Sequence, residues 1–283
     1  MKHLQIEGII EKRFEKLNAA FDNARLQLNE ENIRVFRVKV KKLMACLNLI
    51  EVTTDHLHPV KDSQKMMRIY QLSGAVRTLQ MQEILVLKTL NENQISPPDV
   101  YLKLVTEHIL QSIASFNAQI KGPMPFKKQQ IKLLELLPEN VSQKKIQHFI
   151  RSEGERLTNL FGLVFPADKS FHELRKLLKN LLYISPYLDM EINELTSYKL
   201  LNNYDNLDSF TNLLGIFQDL KGAINCLHAI CRKIEIDEDE RAVLREIETL
   251  WIKESENVRK KIYLEIGKIA ALAIPVDTTA NQS

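Results

Sequence analysis

Phe171-His172-Glu173-Leu174-Arg175-Lys176-Leu177-Leu178-Lys179-Asn180-Leu181-Leu182-Tyr183 has the pattern of an amphipathic helix with a basic edge. Phe171, Leu174, Leu178, Leu181 and, further on, Leu188 recur at the spacing of one face of a packed helix. Beside that seam runs a second row, His172, Arg175 and Lys179, which belongs at the edge of a core, facing water or an anion. The pattern has a partner. Subtracting 138 from each number gives Ile33, Phe36, Val40, Leu43 and Ile50 for the seam, and Arg34, Arg37 and Lys41 for the basic row. Ser170 falls on Asn32, and both residue types make good helix N-caps.

Composition sets the fold class. The 283 residues include only 8 glycines and 9 prolines. Sheets need frequent turns and turns need those residues, so long helices are expected and the class is all-α. A formal net charge of +3 names no polyanion partner by itself, because only clustered cations carry that meaning. Cys46, Cys226 and Cys231 form no Cys-x-x-Cys pair and are expected to be reduced thiols. The chain starts polar, and no apolar run reaches the roughly 18 residues of a membrane span. The expected location is the cytoplasm, with no membrane partner.

Helices are expected over 9–28, 32–51, 64–90, 99–120, 128–136, 142–163, 170–187, 195–230 and from 236 to about 272. Pro186 should kink or end the seventh. Asp237 with Glu240 fits a capping box at the start of the last. Gly122-Pro123-Met124-Pro125 is the clearest linker. It divides a first half, 1–125, from a second, 126–272, with a polar tail over 273–283 expected to be disordered. Gly74 and Gly215 sit in mid-helix, where glycine costs about 1 kcal/mol relative to alanine. The close approach of a neighbouring backbone is the expected reason. Their offset, 215 − 74 = 141, is close to 138, so two motifs recur in the same order and an internal duplication is expected.

A cap followed by cations down one face extends the positive end of a helix into a row, which suits a chain of phosphates better than a single anion. The bland alternative is a solvated face of i, i+4 ion pairs. Scarce carboxylates count against it, since no acid lies between Glu31 and Glu51. Enzyme motifs are missing: there is no phosphate-binding glycine loop, no Gly-x-Ser-x-Gly and no His-Glu-x-x-His. Glu173 reads as the capping partner of Ser170. Asp55, His56 and His58 in a loop read as a surface cluster rather than a metal site, and Met66, Met67 and Trp251 read as packing. No catalytic residue, metal or cofactor is expected.

The run His-x-Leu-Arg-x-x-x-Lys-x-x-x-Tyr from His172 to Tyr183, the repeated basic helix, and Leu-Gly-x-x-Gln-Asp at Leu214–Asp219 resemble the conserved histidine α-helical domain (CHAD) family. The likeness runs from about residue 8 to 268. It implies a duplicated fold of two antiparallel four-helix bundles related by a pseudo-twofold axis, with a basic site that binds inorganic polyphosphate. By position, the implied ligands are Arg34, Arg37, Lys41, Lys42 and Arg77 in the first half, and His172, Arg175, Lys176 and Lys179 in the second. The chain is a divergent match. Arg34 stands where the family has histidine, and Arg77-Thr78 stands where it has Arg-Asp, leaving only Asp219 in the second half. Two other readings stay open. One is RNA binding through the same surface, although only Tyr183 offers a stacking aromatic there. The other is a helical interaction scaffold without a ligand.

Overall fold

The computed structural model describes residues 3–54, 63–120, 126–138, 140–163, 166–188, 204–232 and 235–271. The regular elements among them are nine helices, and the fold is all-α. They are α1 (His3–Leu26), α2 (Glu30–Thr53), α3 (Gln64–Asn93), α4 (Asp99–Ala118), α5 (Lys127–Glu135), α6 (Gln143–Phe161), α7 (Asp168–Leu188), α8 (Tyr204–Cys231) and α9 (Glu238–Ala271). Asp55, His56 and His58, the linker from 122 to 125, residues 195–203 and the tail lie outside the described residues.

The starts of α2 and α7 correct the expected caps. The N-cap of α2 is Asn29, whose Oδ1 accepts from the Asn32 amide at 2.8 Å, while the Asn32 side-chain amide donates to the Gln27 carbonyl at 2.9 Å. With two asparagines to choose from, the chain caps at the one that leaves Glu30 and Glu31 in the first turn, where carboxylates suit the helix dipole. Ser170 likewise lies inside α7, and its amide donates to the Ala167 carbonyl at 2.8 Å. Both helices therefore begin before their expected caps, and 168 − 30 is again 138. The cap of α9 is as expected, with Asp237 Oδ1 accepting from the Glu240 amide at 2.8 Å.

Pro186 does not end α7, which continues to Leu188. Proline removes the amide that would have bonded the Leu182 carbonyl. The Ser185 hydroxyl donates to that carbonyl at 3.4 Å, so the buried oxygen keeps a partner.

The chain divides into two compact units, each made of two stretches: Met1–Val141 with Asp219–Ser255, and Ser142–Gln218 with Glu256–Ser283. In the first, α1 packs on α2 and α5, α2 on α3, and α3 on α4. Its centre is aromatic, with Phe21 meeting Phe36 edge-on at 5.6 Å between centroids and Phe126 at 5.2 Å. Ile33, Phe36, Val40, Leu43 and Ile50 are all buried. Trp251 closes one side, buried, with Nε1 donating to Thr89 Oγ1 at 2.8 Å. In the second unit α6 packs on α7. Phe171 is fully buried, edge-on to Phe217 at 5.3 Å and to Tyr263 at 5.6 Å. Burial of one such side chain stabilises by roughly 2–3 kcal/mol, so the seam outweighs any single surface ion pair. Among the described residues, no helix is long and apolar enough to cross a membrane.

Candidate functional site

The basic rows run along the flanks of α2 and α7, away from the helix ends. Arg34 and His172 are each the fifth residue of their helix, one turn below the free amides. The first turns are acidic instead, with Glu30 and Glu31 on α2 and Asp168 on α7. Glu30 forms an ion pair with Arg77 of α3, and Asp168 accepts from Arg259 Nη2 of α9 at 2.7 Å. The helix N-termini, where an anion is expected from the caps, thus carry carboxylates in their first turns. Beyond them lies a row of side-chain cations. Arg34, Lys41, His172 and Lys176 are exposed, while Arg37, Lys42, Arg77, Arg175 and Lys179 are half-buried.

The arginine at the centre of each row meets the glycine of the next helix. A Cβ placed on Gly74 would stand 2.7 Å from Arg37 Nη1, and one on Gly215 would stand 3.1 Å from Arg175 Nε and Nη2. Arg37 Nη1 donates to the Tyr70 carbonyl at 2.6 Å and to Ser73 Oγ at 3.2 Å, and its guanidinium lies 4.1 Å from the Tyr70 ring centroid. Arg175 Nε donates to the Thr211 carbonyl at 3.2 Å. Tyr70 and Thr211 each precede their glycine by four residues. The carbonyl that serves the helix's own ladder at glycine thus takes a second donor on its other lone pair. The expected reason for the glycines is corrected here: a guanidinium, not a neighbouring backbone, fills the space a side chain would need. Burial lowers the pKa of Arg37, opposed by Tyr70. Both arginines act as bolts between helices.

Arg34, Lys176 and Lys179 face carboxylates. Arg34 makes a two-pronged contact with Glu31, Nε and Nη2 each 2.7 Å from a carboxylate oxygen. Lys176 Nζ lies 3.2 Å from Glu173 Oε1, and Lys179 Nζ 2.8 Å from Asp208 Oδ1. Asp208 also accepts from the Asn212 side chain at 3.0 Å. These hydrogen bonds hold the carboxyls of Glu31, Glu173 and Asp208 below their ordinary range, since each stabilises the ionised form. The expected scarcity of carboxylates does not hold for these three cations, because their partners sit at i−3 or on another helix. Glu173 serves Lys176 rather than the expected cap.

Two cations on neighbouring helices escaped the sequence reading. Arg259 reaches the first turn of α7 over the Phe217 ring, 5.4 Å from its centroid, and so gives Asp168 what Arg77 gives Glu30. Position 218, which matches Arg77 in the glycine alignment, is a glutamine. Arg156 of α6 lies within the electrostatic reach of Glu173 and is held at 2.5 Å by Glu153. Glu153 is a buried carboxylate in the apolar seam of Ile150 and Leu157, which is the one sequence signal that could have drawn attention to it. Elsewhere, all three cysteines are free thiols, and burial pushes that of Cys46 up to about 12. Among the described residues, no group of three or more His, Cys, Asp or Glu side chains could hold a metal ion.

No protein-family model matches the chain, and no curated protein matches it in sequence. Solved structures do match. One is PptA from Streptomyces chartreusis, with a TM-score of 0.72 and 14% identity, covering 94% of this chain and 99% of that one. Another is the CHAD domain from the plant Ricinus communis, with a TM-score of 0.70 and 14% identity, covering 94% of this chain and 92% of that one. The chain shares their fold over nearly its whole length.

Proposed function

We propose that this chain is a non-catalytic, cytoplasmic binder of inorganic polyphosphate or a similar polyanion. The ligands on α2 and its neighbour are Arg34, Lys41, Lys42 and Arg77, and those on α7 are His172, Lys176 and Lys179. Arg37 and Arg175 hold the helices that carry these rows. The observation that carries the reading is the recurrence, at offsets of 138 and 141, of a cation row beside a buried seam and of an arginine seated against a glycine. An internal duplication over 1–125 and 126–272 accounts for that recurrence. The shared fold with a CHAD domain, together with the motif from His172 to Tyr183, supports polyphosphate as the ligand.

Binding would be electrostatic, with charge-assisted Lys/Arg–phosphate contacts and a steep loss of affinity with salt. Charge reversal at Arg37 or Arg175 would damage the helix packing, so the test uses exposed positions. Affinity for long-chain polyphosphate is measured over a salt series for the wild type and for Arg34→Glu with Lys176→Glu. The expected result is binding at low salt that weakens with added salt and weakens further in the double variant. RNA bound more tightly than polyphosphate at matched salt would favour an RNA-binding protein. No binding of either would leave the scaffold reading.

A further inference from the structure

Glu153 occupies the apolar face of α6 between Ile150 and Leu157, and only 8% of its side chain is exposed. In the other described ion pairs the carboxylate side chain is at least 27% exposed. Taking a charge out of water is costly, and a well-packed apolar side chain at such a site usually leaves a fold as stable or more so. Stability alone therefore does not account for Glu153. Its partner is Arg156, one turn on, whose Nη1 donates to Glu153 Oε1 at 2.5 Å while the arginine side chain stays 56% exposed. The pair is a dipole set across the surface, carboxylate inside and guanidinium in solvent. An anion at that surface meets the cation first.

Helix α6 packs on α7 within the same compact unit. The carboxyl of Glu173 on α7 is held below its ordinary range chiefly by the hydrogen bond from Lys176, and after it by the Coulombic pull of Lys176, His172 and Arg156. Cations of two helices thus act on one point of the surface. We infer that Arg156 is a polyanion-binding residue and Glu153 its positioning residue, so that the site on this unit spans α6 as well as α7. This inference rests on the polyphosphate reading above. The contact through Nη1 leaves the Nε–Nη2 edge of Arg156 without a hydrogen-bond partner among the described residues. That edge is the fork that holds two oxygens of one phosphate. Anchoring also fixes a long side chain in advance, so less freedom is lost when the anion arrives.

Exchanging the whole pair tests this without altering net charge. Glu153→Leu with Arg156→Leu removes one charge of each sign and keeps the seam filled, so urea unfolding should show a stability equal to or above the wild type's. Affinity for long-chain polyphosphate is measured over a salt series for the wild type, this double variant and Glu153→Leu alone. A control replaces the exposed pair Glu265 and Lys268 with glutamines. The double variant should bind about fivefold more weakly. Its slope of log affinity against log salt should be shallower by roughly 0.7, the share of one phosphate contact. Glu153→Leu alone adds net positive charge, yet should bind about threefold more weakly because Arg156 loses its fixed orientation. The control should match the wild type. A stable double variant with wild-type affinity and slope, or a control that weakens as much, overturns the role of Arg156 and leaves the polyphosphate reading standing. An unstable double variant shows that the pair is there for the fold and overturns the inference as well. Unchanged or tighter binding by Glu153→Leu alone overturns the positioning role of Glu153. A wild type that binds no polyphosphate overturns both readings.

Discussion

At Gly74 a propensity rule and a packing contact oppose each other, and their magnitudes can be compared. Replacing glycine by alanine inside a helix ordinarily stabilises by about 1 kcal/mol. Here the new Cβ would stand 2.7 Å from Arg37 Nη1, which already has a 2.6 Å bond to the Tyr70 carbonyl. Losing a hydrogen bond made by a charged group costs about 1.5–3 kcal/mol, so the contact wins. Gly74→Ala should destabilise by about 1 kcal/mol net. In an Arg37→Ala background the same change should stabilise by about 1 kcal/mol, because only propensity is left. Urea denaturation of the four proteins measures this change of sign. A destabilising effect of equal size in both backgrounds would place the constraint elsewhere. That Gly74 needed a reason was legible from its place in a helical pattern. The identity of the reason was not, because Arg37 is distant in sequence and looked like a surface cation in its own row.

At the level of the helix, periodicity read well and boundaries less well. The seams of α2 and α7 were legible because burial depends on spacing alone, and every first-half seam residue is buried. The starts were misjudged because capping is a competition among neighbouring side chains, settled in α2 by where Glu30 and Glu31 fall. Pro186 shows the same limit, since a proline rule yields when an adjacent hydroxyl takes over the orphaned carbonyl. Ser185→Ala should therefore cost about 1 kcal/mol, the usual worth of a buried hydrogen bond. Combined with Pro186→Ala, which restores an amide to that position, the serine should lose most of its effect. Thermal denaturation of the two single variants and the double variant provides the cycle. Additive losses would show that Ser185 does nothing for the Leu182 carbonyl. The acid partners of the basic rows were the least legible feature. Asp208 lies on a different helix from Lys179, and no spacing rule connects them.

Across the whole molecule, the compact units do not follow the chain in two continuous halves. The first unit needs residues from Asp219 to Ser255. Trp251 buries its ring there and bonds Thr89, and Glu240 accepts from the Tyr101 amide at 2.8 Å. A fragment ending at Val141 would expose the surface under Trp251 and leave the Tyr101 amide without its carboxylate. Residues 1–141 expressed alone should lack a cooperative unfolding transition by circular dichroism, even though α1 to α5 are all present. A sharp transition close to that of the full chain would show that the second stretch is dispensable.

The glycine–guanidinium pairs also set an order in which this lineage can change. While Arg37 is in place, a side chain at position 74 would have to push the guanidinium aside, and the same holds more mildly for Arg175 and position 215. Without the arginine, alanine at the glycine should be favoured by helix propensity. An arginine restored opposite that alanine should then fit less well than one opposite glycine. Related chains should keep both partners or neither, and a chain with arginine opposite alanine should be rare.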